Sequence, residues 1–151
     1  MTKKLAILLL IAAPVLAACG SKRTGAPGPI GASGATSPRT ATEAFLAAAK
    51  AQDLQALSLI WGSQAGPARA TMPREELERR EVVMLCHLRH ETHEILEEGS
   101  LLGQQRRLVV ELTQGKITRR TSIVTEPTQS GAWYVLSVDL EPLQDLCAAG
   151  R

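Results

Sequence analysis

Apolar and polar positions change their pattern several times along the chain. Residues 5–15 form an apolar run broken only by Pro14 and preceded by Lys3 and Lys4. Such a run is too short to cross about 30 Å of hydrocarbon, which takes about 20 helical residues, and its basic flank matches a secretory h-region. Residues 20–38 then carry Ile30 as their only large apolar side chain. From residue 40 regular spacings begin. Glu43, Ala44, Phe45, Leu46 and the alanines up to Lys50 are strong helix formers, and Thr40 or Thr42 can cap their start. Asp53 caps a second short helix whose apolar face is Leu54, Leu57, Leu59, Ile60 and Trp61. Residues 62–71 read as a loop. Pro73 stands in the first turn of a third helix running to about His90, with Glu75, Glu76 and Glu78 near its positive end. Leu77, Met84, Leu85 and Leu88 follow the spacing i, i+7, i+8, i+11 of a buried stripe.

After residue 92 the period changes to that of strands, at 93–98, 105–113, 116–125 and 132–140. "LVVELT" and "WYVLSVDL" are rich in β-branched and aromatic residues. Gln114-Gly115 and Ser130-Gly131 supply turns between neighbouring strands. Helices first and strands later predict an α+β domain, with N-terminal helices packed on one face of a curved antiparallel four-stranded sheet.

The N-terminal pattern changes what the rest must do. Leu16-Ala17-Ala18-Cys19 resembles the lipobox of bacterial lipoproteins at every position. The resemblance implies a signal peptide over 1–18, lipidation of Cys19 and cleavage before it. More than one acyl chain on Cys19 gives stable anchoring, since each buried methylene contributes about 0.8 kcal/mol. Gly20, where an Asp would favour inner-membrane retention, implies the outer membrane facing the periplasm. Residues 19–39, the lipidated cysteine and a stretch of Gly, Ala, Ser, Thr and Pro, read as a flexible linker that cannot bury enough surface to order itself. Residues 40–151 remain as one domain, large enough to bury well over half of its unfolded surface.

Charge adds little. Residues 40–151 hold twelve basic and fifteen acidic side chains, a balance of −3. That is no basic footprint for nucleic acid, and Phe45, Trp61, Trp133 and Tyr134 are too few for a stacking platform.

"ATEAFLAAAKAQDLQALSLIW", the helix "PREELERREVVMLCHLRH" and four strands ending in "GAWYVLSVDL" resemble the nuclear transport factor 2-like fold, as found in bacterial lipoproteins. The resemblance implies a cone, a curved sheet around a pocket, and dimers through the sheet. The fold hosts isomerases, dehydratases and plain binding modules, so it does not fix function.

Three features carry candidate chemistry. Cys86, His87 and His90 are zinc-ligand types, and His93, Glu94 or Cys147 would have to complete the set. The alternative places His87 and His90 in the last helical turn, where imidazoles suit the dipole. With Cys19 lipidated, Cys86 and Cys147 are the only remaining thiols outside the cytoplasm, and such a pair reads as a disulfide or as two buried thiols. Glu81 interrupts the apolar stripe of the third helix. It reads as a pocket acid or base, as half of a buried ion pair with Arg119 or Arg120, or as a residue turned to solvent. No cofactor is implied. The leading function is a non-catalytic, lipid-anchored envelope module that binds a protein partner or a small apolar ligand. Its rivals are an isomerase- or dehydratase-type enzyme using Glu81 and a purely structural envelope protein.

Overall fold

The computed structural model describes residues 34–149. The expected signal peptide, Cys19 and most of the expected linker lie outside them. The domain is α+β: four helical segments, a four-stranded antiparallel sheet, and a short helical C-terminal segment.

Helix α1 spans Pro38–Ala51 and starts earlier than its composition predicts. Its cap is Ser37, whose Oγ accepts from Thr40 N–H at 3.1 Å, rather than Thr40 or Thr42. Thr42 lies inside the helix and is fully buried. Ala35 exchanges backbone hydrogen bonds with Trp133, at 3.0 and 2.8 Å. The linker's last residues therefore belong to the folded unit, and the boundary expected at residue 40 falls within α1. Ala41, Ala44, Ala48 and Ala49 let α1 approach the sheet closely around Phe45 and Leu46, all of them buried. The helix ends at Gln52, whose φ of 56° is left-handed and whose side-chain amide reaches Ala49 O and Leu85 O.

Helix α2 (Leu54–Ile60) is capped by Asp53, whose Oδ1 accepts from Ala56 N–H at 3.0 Å. The segment expected as a loop folds into a ribbon of β1 (Gly62–Ser63) and β2 (Gly66–Pro67), followed by the single turn α3 (Ala68–Thr71). A Cβ on Gly62 would stand 2.3 Å from Gly66 O, so only glycine permits this ribbon.

Helix α4 spans Arg74–His87, with Pro73 at the capping position rather than in the first turn. It ends three residues short of His90. Leu77, Glu81, Met84 and Leu85 face inward, and Leu88 after the helix is also buried.

The sheet runs β3 (Thr92–Ser100), β4 (Arg106–Gln114), β5 (Ile117–Pro127) and β6 (Trp133–Val138), each antiparallel to the next. Gln114 pairs with Ile117, so the tight turn is Gly115-Lys116, one residue later than expected, with Gly115 at φ 59°. Leu108, Val110 and Leu112 alternate onto the inner face of β4 and meet Ile123 and Val135 beneath α1. Register shifts between Ile95 and Glu97 and between Val124 and Thr125 interrupt the regular pairing, a device that bends strands. After β6 a 3-10 turn (Glu141–Leu143) leads into α5 (Gln144–Ala148), which the strand pattern does not anticipate. Leu143 and Leu146 seal the core there.

Candidate functional site

Cys86 on α4 and Cys147 on α5 form a disulfide with Cα atoms 4.7 Å apart. The bond takes Cys86 out of any metal set. His87, His90 and His93 do not converge either. His87 is the last residue of α4. His90 lies past the helix, 5% exposed, with Nδ1 2.7 Å from Leu88 O, so Nδ1 carries the proton and donates. Burial holds its imidazole below the ordinary histidine range. His93 on β3 places Nε2 2.7 Å from Glu43 Oε2 and packs edge-on against His90, centroids 5.3 Å apart. Among the described residues no three His, Cys, Asp or Glu side chains form a metal-holding group.

Glu81 is 2% exposed, and its Oε1 has no hydrogen-bond partner. Neither arginine expected beside it is there: Arg119 pairs with Asp145 and Arg120 with Glu111, at 2.8 Å for the latter. Both arginines sit on β5, in the sheet, whereas Glu81 looks from α4 toward α2. Desolvation, followed by repulsion from Glu78, pushes the Glu81 carboxyl up to about 7. It lines a recess of about 360 Å³.

The other side of α4 forms an open groove of about 550 Å³ against β6. Trp61, Val83, Met84, Leu136 and Val138 make its walls, and Arg79 and Arg80 stand beside them. Trp61 is fixed there by its indole N–H, which donates to Leu136 O at 3.3 Å. Arg80 is held by Glu76 at 2.5 Å, whereas Arg79 makes no ion pair among the described residues. Val82 and Val83 are 61% and 53% exposed. Of the two only Val83 lines the groove, and its apolar side chain on an otherwise charged helix face was the sequence signal for it. Leu136 and Val138 could not signal it, because an inward strand position reads alike whether covered or open.

The outer face of the sheet is polar where β4 meets β5: Glu111 pairs with Arg120, and the hydroxyls of Thr113 and Thr118 bond at 3.1 Å. An open apolar groove lies on α4 and β6 instead. One further buried carboxylate escapes sequence reading. Glu126 accepts from Gln64 N–H at 3.2 Å, Gln64 Nε2 at 3.0 Å and Gln105 Nε2 at 2.9 Å, and so pins the β1–β2 turn to the loop before β4.

Compared with known proteins, the chain matches no family model, no curated protein and no solved structure.

Proposed function

We propose that this protein is a non-catalytic, lipid-anchored binding module of the bacterial cell envelope, built on a nuclear transport factor 2-like cone. Its ligand is a small apolar molecule with one acidic group. The lipobox ending in Cys19 supports the anchor. Helices laid on one face of a four-stranded antiparallel meander with two register shifts support the cone. The observation that carries the ligand is the α4–β6 groove. Its volume of about 550 Å³ lies within the range of small-molecule sites, its walls are apolar, and the guanidinium of Arg79 stands at its edge without an ion pair among the described residues.

Trp61 reports on the groove directly. In an unlipidated protein carrying Trp133→Phe, laurate should shift Trp61 emission in a saturable way. Val83→Asp, an exposed change, should weaken binding at least about tenfold, since a charge placed on an apolar wall stays desolvated when ligand covers it. Arg79→Glu should weaken laurate but leave dodecanol unchanged. An emission unmoved by millimolar laurate would remove the reading. Acid–base catalysis at Glu81 has one observation in its favour, the bare buried oxygen, but the recess around it offers no histidine or tyrosine as a second proton-transfer group.

A further inference from the structure

On the side of α4 turned toward α2 and α3, away from the groove, the recess at Glu81 is lined by Leu54, Met72 and Leu77, by the buried Ser58 and Glu81, and by Arg69 and Arg74 at its solvent side. Its most unusual feature is the uncompensated oxygen. A buried acceptor without a donor costs about 1–3 kcal/mol, more when charged, and native proteins leave few of them. The nearby cations do not relieve it. Arg74 is 89% exposed at its side chain and bonded to Glu78 at 2.7 Å. Ser58 Oγ donates to Gln55 O at 2.9 Å, which leaves its lone pairs able to accept.

We propose that this recess binds a small primary ammonium compound, whose N–H groups donate to the Glu81 carboxylate and Ser58 Oγ and whose alkyl part lies on Leu54, Met72 and Leu77. An ammonium brings the opposite charge as well as N–H donors, so in a desolvated recess it compensates the carboxylate as a neutral donor cannot. Arg69 and Arg74 stand only at the solvent side, so an anion that passes them meets and is repelled by the buried Glu81. A calcium ion needs six to eight oxygens, and no cluster of acidic groups is present among the described residues to supply them. The site is distinct from the α4–β6 groove and does not depend on it.

Protonation gives the proposal its own signature. Of the walls, α2 contributes no charged side chain, α3 contributes Arg69, and α4 contributes Arg74, Glu78 and Glu81. Helix α5, packed on the far end of α4, carries Asp145, which is held by Arg119. Within the recess Glu81 titrates near neutrality, at about 7. The ammonium must meet the ionised carboxylate, so below that point affinity falls about tenfold per pH unit.

Isothermal titration of the unlipidated chain with n-butylammonium chloride, at constant ionic strength, tests this. Saturable binding is expected at about pH 8, with apparent affinity reduced about 30-fold at about pH 5.5. Glu81→Gln should abolish binding while keeping the side-chain shape. Leu54→Trp, which fills the recess from α2 and leaves the carboxylate in place, should abolish it independently. No binding at pH 8 would overturn the proposal, and so would an affinity unchanged between the two pH values or retained in Glu81→Gln. Equal binding of potassium chloride or sodium butyrate would overturn the ligand class.

Discussion

Glu81 and Glu126 are the same residue type at 2% and 7% exposure, yet their surroundings are opposite. Glu126 collects three N–H donors, while Glu81 leaves Oε1 bare. Only one of them was legible in the sequence. Glu81 interrupts a helical stripe set by its near neighbours, so the rule it breaks is local. Glu126 closes a strand, and its partners stand 62 and 21 residues away, where no spacing rule reaches. The burial of Glu81 has a consequence for stability. Its carboxyl titrates at about 7 in the folded protein and near 4.5 once unfolded. Between those values the folded state holds a proton that the unfolded state has released, so stability falls as pH rises through that window and levels off above it. His90, held neutral by burial, works in the other direction, gaining stability as pH rises toward 6.5. Comparison with Glu81→Gln isolates the carboxylate. The variant should exceed wild type by about 1–2 kcal/mol in urea unfolding at pH 8, after allowance for water reaching the recess, and differ little from it at pH 4.5. A wild type at least as stable as the variant at pH 8 would show that the carboxylate is compensated in solution.

At the scale of elements, α4 joins parts that come from distant sequence. Its inner face packs on α1 and α2, Gln52 reaches Leu85 O, and the disulfide ties it to α5. Long elements with a clear period were readable: α1, α2, α4 and all four strands of the sheet occur where their residues predict them, within a few positions at the ends. The short ones were not. Two-residue strands, the four-residue α3 and the five-residue α5 are below the length at which a period can be counted, and helices so short do not form without tertiary contacts. The end of α4 was misread for a related reason. His90 fits the continuation of the helix by spacing, but its burial against Leu88 and His93 follows from the chain turning into β3. The dependence of α5 on its partners makes the disulfide consequential. It closes 61 residues, worth roughly 4 kcal/mol in the chain-entropy account. Cys86→Ser and Cys147→Ser should each lower stability by about 2–4 kcal/mol, and the double variant by no more than either, since both ends serve one bond. Hydrogen exchange should show the loss first at Leu143 and Leu146. Two free thiols besides any at Cys19 in freshly isolated, unreduced, denatured protein would mean that the bond does not form in the cell.

The fold class was legible because short turns leave little choice: consecutive strands with period-two patterns and glycine turns pair with their neighbours, giving the order β3-β4-β5-β6. The start of the domain was not. Residues 35–39 look like the small-residue stretch before them, and what makes them part of it is the bridge from Ala35 to Trp133, across almost the whole domain, together with the cap that Ser37 gives to α1. That bridge also fixes how an anchor would reach the domain. The chain enters beside the first residue of β6, the strand whose Leu136 and Val138 wall the apolar groove. In the proposed arrangement Cys19 lies sixteen residues before that entry point. The anchor itself is the part that a single atom decides. In the proposed lipoprotein only a thiol at position 19 would take the thioether-linked lipid, and processing before this residue would depend on it. Cys19→Ala should therefore leave a precursor that retains residues 1–18, incorporates no radiolabelled palmitate, and differs from wild type in how it fractionates with carbonate-washed membranes. The domain, built from residues 35 onward, should keep its disulfide and its groove in the same variant, so that laurate still shifts Trp61 emission. Palmitate incorporation into Cys19→Ala, or its cleavage to the mature length, would mean that the chain reaches the envelope by a route that does not use this cysteine.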